Sequence, residues 1–187
     1  MYSWRVTKYN PKFRDHTGSY TRADEEWYLY SQIGSIYNGV KFSYGDYKKV
    51  ENAYVKAILY FMRDTKLTML QVVELDKPKK KLQITKHYPK KMIQIINSIK
   101  EGALVDVATI AYIARWNLRD MNAPYRCILQ SKDMYVHFCW DYYMFIGCKY
   151  ACKHAIGQTE ELGLFVEPMK SPYFNKAGIF IGNSFED

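Results

Sequence analysis

Along one short alternating run the chain carries His137, Cys139 and Asp141, and Cys127 lies ten residues before His137. A thiol, an imidazole and a carboxylate are the parts of a nucleophilic site, provided that base and nucleophile come within hydrogen-bond reach. Along a single strand His137 and Asp141 stand about 13 Å apart at roughly 3.3 Å per residue, so that pair fails. A hairpin closed by Ser131-Lys132-Asp133 with Gln130 facing Met134 places Cys127 opposite His137, and one residue of slip puts Arg126 there instead. The competing reading is two half-buried residues in an ordinary hairpin, with no oxyanion-hole motif and no third group to orient the base.

Cys148-x-x-x-Cys152-x-His154, with Cys139 as a fourth donor, has metal-like spacing, yet it is neither a paired C-x-x-C set nor H-E-x-x-H. These thiols read as incidental cysteines of a reducing compartment. Asp24-Glu25-Glu26 is a candidate carboxylate cluster, although adjacent acids on a loop are usually just solvated. Phosphate-loop, dinucleotide-fold and nucleophile-elbow motifs are absent from the sequence. The pattern calls for no cofactor and no metal, and an enzyme is the minority reading.

Charge points elsewhere. The 187 residues include 27 Lys and Arg against 19 Asp and Glu, a formal net charge of +8. Seven of the lysines fall between Lys77 and Lys91, a stretch with no acid and no Arg, so the remainder is nearly neutral. A polyanion binder more often spreads its cations and uses Arg for bidentate phosphate contacts. The strip, with Lys77, Lys79, Lys80, Lys81 and His87, reads as a solvated turn or as a contact surface for an acidic partner, protein or nucleic acid.

The elements that position these residues follow from period and punctuation. A composition of 48% hydrophobic and 25% charged residues, with few Gly and Pro, describes one globular domain over 1–187. Residues 2–8 alternate as a strand. Ser43-Tyr44-Gly45-Asp46 has capping-box form ahead of Tyr47, Val50, Tyr54, Ile58 and Phe61 at helical spacing. Leu67–Leu75 and Leu82–Tyr88 read as a hairpin whose turn and edge carry the lysines. Pro89 opens a helix with Met92, Ile95, Ile96 and Ile99 inward, and Gly102 follows it. A second helix from about Asp106 to Arg115 presents an apolar face that cannot read base edges, so the pair is core and no DNA-reading module. Strands at 125–130, 134–141 and 142–146, a helix within 149–162 and a strand at 164–167 complete an α+β domain. Its antiparallel sheet is built from hairpins, with three to four helices packed on it. The N-terminus has no signal-peptide pattern and no stretch is long enough to span a bilayer, so the expected compartment is the cytoplasm.

Eighteen tyrosines also need a place. Many fall on apolar faces, but Trp27, Tyr28, Tyr30 and Tyr37 lie in an irregular segment beside Asp24, Glu25 and Glu26. Exposed Tyr and Trp beside charges are typical of protein contact surfaces. Arg5-Val6-Thr7-Lys8-Tyr9-Asn10-Pro11, Arg14-Asp15, Gly18-Ser19-Tyr20, Glu26-Trp27, Ser31-Gln32-Ile33-Gly34, His137 to Ile146, and Gly163-Leu164-Phe165-Val166-Glu167 before Ser171-Pro172-Tyr173 carry a resemblance. They resemble a family of small bacterial proteins with an N-terminal R-x-T-K-Y-N-P motif, whose pattern has Asp at the position of Gln32 and Gly at that of Cys139. The resemblance implies no catalytic residue. By analogy of class, small bacterial single-domain proteins without catalytic motifs are often immunity or antitoxin partners.

The expectation is a non-enzymatic protein that binds another protein, such as an immunity-type inhibitor of a toxin or effector. Asp24, Glu25, Glu26, Trp27, Tyr28 and Tyr30, or Lys77, Lys79, Lys80, Lys81 and His87, would form the contact. A net basic inhibitor implies either a partner with an acidic surface or use of the acidic patch. The alternatives are a nucleic-acid binder using the Lys77–Lys91 strip and a small hydrolase or transferase using Cys127 and His137. Oligomeric state is open.

Overall fold

The computed structural model describes residues 1–75, 77, 83–85, 87–119, 127–139 and 141–172. The chain opens with β1 (Tyr2–Thr7), then runs irregularly through three single 3-10 turns and a tight hairpin, β2 (Ile36–Tyr37) and β3 (Val40–Lys41). Asn38 and Gly39 sit at φ +50° and +78°, the left-handed pair that a type I′ hairpin turn requires. There follow α1 (Tyr44–Asp64), β4 (Met69–Leu75), α2 (Lys90–Ser98), β5 (Leu104–Asp106), α3 (Val107–Arg119), β6 (Cys127–Gln130), β7 (Met134–Phe138), β8 (Tyr143–Cys148), α4 (Lys153–Glu161) and β9 (Phe165–Pro168).

Seven strands form one antiparallel sheet in the order β5-β4-β6-β7-β8-β1-β9. Because side chains alternate across a strand, one face collects Trp4, Val6, Leu70, Val72, Cys127, Leu129, Met134, Val136, Met144 and Ile146. These pack with Tyr47, Tyr54, Ile58 and Phe61 of α1 and with Ile110 and Ile113 of α3 into one core. The α+β single-domain architecture is as read from the sequence. Among the described residues no helix is long and apolar enough to cross a membrane.

The start of α1 is the capping box its sequence announces. The Asp46 amide donates to Ser43 Oγ (3.2 Å), and the Ser43 amide donates to the Asp46 carboxylate (3.0 Å). Ser43→Ala should cost about 1 kcal/mol in urea unfolding, the usual value of such a cap. A loss below a few tenths would mean that water replaces the hydroxyl.

Two local readings are corrected. Leu82–Tyr88 does not return beside β4: residues 83–85, 87 and 88 are not strand, Leu82 lies outside the described residues, and both edges of β4 are already taken by β5 and β6. The three-residue loop is the second. The Ser131 amide donates to the Met134 carbonyl (2.7 Å), leaving a two-residue turn at Lys132-Asp133. Gln130 therefore faces Tyr135, and Ile128 faces His137. This one-residue shift moves Cys127 to the opposite sheet face from His137.

Residues that carry the resemblance meet in space. Arg5 and Arg14 each make two hydrogen bonds to the Glu167 carboxylate, at 2.9–3.1 Å. Arg14 also donates to the Tyr143 hydroxyl (3.1 Å). Burial raises the Glu167 carboxyl, but the two guanidiniums outweigh it and hold it below its ordinary range. The arrangement ties the start of the irregular segment to β1, β8 and β9, a scaffold role.

Candidate binding surface

The Cys127/His137 pair is not formed. Cys127 pairs across to Leu75 of β4, and its thiol sits in the core, where burial pushes it up to about 12. His137 is fully buried on the other face, stacked on Tyr135 at 4.3 Å, with Nδ1 2.8 Å from Ser171 Oγ. Among the described residues no three His, Cys, Asp or Glu side chains converge on a common point. Cys148 and Cys152, the residue before α4, both belong to the core cluster, while His154 is exposed.

The acidic aromatic segment is largely neutralised internally. Glu26 takes the Lys8 ammonium at 3.0 Å and the Tyr20 hydroxyl. Glu25 pairs with Arg22 at 3.6 Å, and both are well exposed. Asp24 is exposed in the same 3-10 turn. Trp27 is wedged inward: it stacks on Phe42 at 4.4 Å, meets Tyr142 edge-on at 5.0 Å, and has the Lys8 ammonium 4.4 Å above its ring. Its role is packing, with a cation–π contact at its outer edge.

Tyr28 and Tyr30 behave differently. Tyr28 stays 42% exposed. Tyr30 meets Tyr47 edge-on at 4.6 Å, and its hydroxyl hydrogen-bonds His87 Nδ1. The His87 ring also lies 6.0 Å from that of Tyr44. Together Tyr30, Ser31, Ile33, Tyr44 and His87 line a cleft of about 410 Å³. Burial pushes the Tyr30 phenol up to about 12, so at neutral pH it is a hydrogen-bond donor.

Behind the cleft lies a charge cluster that the sequence pattern does not announce. Glu51 of α1 is fully buried. It receives Nε and Nη2 of Arg119 (the latter at 2.9 Å), the Lys48 ammonium and, at 3.2 Å, the Tyr47 hydroxyl; Arg115 stands 3.7 Å away. Nη1 of Arg119 donates to the His87 carbonyl. One guanidinium thus joins α1, α3 and the loop before α2, and holds one wall of the cleft in place. Burial alone would raise the Glu51 carboxyl, but Arg119 and Lys48 keep it below its ordinary range. One signal does exist: Glu51 lies on the stripe Tyr47, Glu51, Tyr54, Ile58, where an apolar residue is expected.

The lysine strip is divided. Lys77 donates to the Asn97 carbonyl (3.1 Å) and to that of Ile99, so it caps the C-terminal end of α2, where a cation meets the negative pole. Lys79, Lys80 and Lys81 lie outside the described residues. Lys90 and Lys91 occupy the first turn of α2, which has no acidic residue. That placement opposes the helix dipole.

Two strongly exposed apolar residues lie on the β2–β3 hairpin. Ile36 and Val40 are 70% and 69% exposed, and Tyr44 is 42% exposed. The chain matches no family model, no curated protein and no solved structure.

Proposed function

We propose that the protein is a cytoplasmic, non-enzymatic binder of another protein, acting as an inhibitor of a toxin or effector of the immunity type. Its contact surface is segment 28–44 together with His87. The observation that carries this reading is the β2–β3 hairpin. It holds Ile36 and Val40 in solvent, one on each face of the hairpin, within the segment that joins the cleft residues Ile33 and Tyr44, and neither belongs to the protein's own core. Apolar and aromatic side chains on one rigid protrusion, next to a pocket that accepts an anchor residue, are the arrangement of a protein contact patch. Inhibition by occlusion needs only this complementarity, and the separation of Cys127 from His137 removes the nucleophile–base pair on which the enzyme alternative rested.

The test is co-purification with the identified partner. Ile36→Glu with Val40→Glu should weaken the complex at least about tenfold, since a charge in an apolar contact costs more than about 1.4 kcal/mol. The melting temperature should be unchanged, and Leu104→Glu on the far edge strand should bind like wild type. Retention of the partner by the hairpin variant would overturn the assignment. So would recovery of nucleic acid alone, released steeply by salt, which would return the lysine strip to first place.

A further inference from the structure

We infer that the Tyr30/Tyr44/His87 cleft receives a carboxylate side chain, so the partner is a protein whose contact element is acidic. The inference rests on the protein-binding reading above and specifies the chemistry of the partner.

Among the described residues, the cations outnumber the acids behind the cleft. Lys48, Arg115 and Arg119 converge on one carboxylate, that of Glu51, an excess of two positive charges. Arg119 satisfies Glu51 with two hydrogen bonds, and its own side chain is 4% exposed. The surplus therefore resides on Lys48 and Arg115, whose side chains remain 28% and 27% exposed. Lys48 lies one helical turn beyond the cleft residue Tyr44 on α1, and Arg115 lies one turn before Arg119, whose Nη1 holds the His87 carbonyl, so the surplus stands on the two helices that back the cleft. The first turn of α2 begins three residues after His87 and adds Lys90 and Lys91, with no acidic residue in that turn. Asp46, the nearest acid on α1, is engaged by the Ser43 cap.

A surplus of this kind, at the rim of an aromatic cleft, is favourable only when an anion arrives. A carboxylate seated there meets cations already desolvated on one side, with the Tyr44 ring beside it. The opposite polarity is poorly served. Asp24, Glu25 and Glu26 face Lys8 and Arg22, which leaves the acidic segment one net negative charge to offer a basic partner. Between the two routes open to a net basic inhibitor, the charge distribution selects an acidic partner. Nucleic acid is the less favoured occupant: Arg119 is enclosed, and Lys48 and Arg115 are two cations, too few for the basic track that a phosphate backbone requires.

The full-length protein should be titrated, with amide resonances followed by NMR, using three probes: acetyl-Glu-Trp-Glu-amide, acetyl-Gln-Trp-Gln-amide and an oligothymidylate. The acidic peptide should shift Ser31, Ile33, Tyr44 and His87 at a concentration about tenfold lower than the neutral one. Lys48→Gln with Arg115→Gln should erase that preference, while the Glu51–Arg119 pair keeps the fold intact. Equal response to the two peptides would overturn the inference, as would tighter binding of the oligothymidylate at the same residues. The two proposals fail separately. A partner lost by the hairpin variant but kept by Lys48→Gln/Arg115→Gln sinks the acidic anchor alone. A partner kept by the hairpin variant sinks the contact surface, whatever the peptides do.

Discussion

Glu51→Gln is expected to cost about 3–5 kcal/mol of folding stability, the value typical of breaking a buried ion pair by removing one partner. The size follows from what remains. Arg119 cannot lose its proton and its side chain is 4% exposed, so the substitution leaves a buried guanidinium facing a neutral amide, with Lys48 and Arg115 adding repulsion. A small domain holds only about 5–15 kcal/mol in all, so the variant should be visibly weakened at room temperature. Urea unfolding of E51Q, R119M and the pair E51L/R119M separates the explanations. If the penalty is the uncompensated charge, the double variant recovers most of the loss, because an apolar pair of similar volume avoids desolvating either ion. A loss under about 1 kcal/mol in E51Q would mean that water reaches Arg119 and that the cleft wall is softer than its geometry implies. The His87 loop is a second readout. Since Nη1 of Arg119 holds the His87 carbonyl, R119M should loosen that loop and broaden its resonances even where global stability recovers.

That cluster marks the limit of what the sequence discloses. The start of α1 is readable because a capping box and a 3.6-residue stripe are local features, and the same holds for α2 and its Pro89 entrance. Strand neighbours are not local. Period 2 shows which face of a strand is apolar but not which strand lies beside it, so residues 82–88 pass for the partner of β4. Its true neighbours are β6, far along the chain, and β5, a three-residue strand at the start of an apolar run that mostly reads as helix. Register slips by a single residue because the turn is closed by a backbone bond between Ser131 and Met134 that side-chain types do not specify. That one step separates Cys127 from His137. At the candidate site, Tyr30 and His87 are selectable for unrelated reasons, an aromatic segment and a lysine strip, and only the fold brings them into one cleft. Trp27 misleads in the other direction. Irregular backbone around it suggests exposure, yet Phe42 and Tyr142 enclose it, because an irregular segment without helix or sheet must pin itself to the domain by its aromatic rings.

Acid should destabilise the protein well before its carboxylates titrate, and His137 is the reason. The imidazole is fully buried, stacked on Tyr135 and hydrogen-bonded to Ser171, and burial drives its pKa down to about 3. In the unfolded chain the same ring titrates near 6.5. The unfolded state therefore binds a proton that the native state refuses. The stability contributed by the neutral, buried ring is fully present above about pH 6.5 and is lost as pH falls toward the folded value. By pH 5 the loss amounts to about 2 kcal/mol, since each pH step of one below 6.5 favours the protonated unfolded chain by about 1.4 kcal/mol. Glu51 and Glu167 act in the same direction but lower, because their folded values lie below the ordinary carboxylate range, so their share is lost only below about pH 4.5. The interval from pH 6.5 to 5 thus lies above the carboxylate contributions, and comparison with a His137 variant isolates that ring. The urea midpoint of the wild type should fall across it, whereas His137→Gln, less stable at pH 7 for want of the ring stack, should show a flat midpoint over the same interval. A wild-type midpoint that does not move between pH 7 and 5 would show that the ring is protonated in place and solvated, and that the packing of His137 on Tyr135 is not dry.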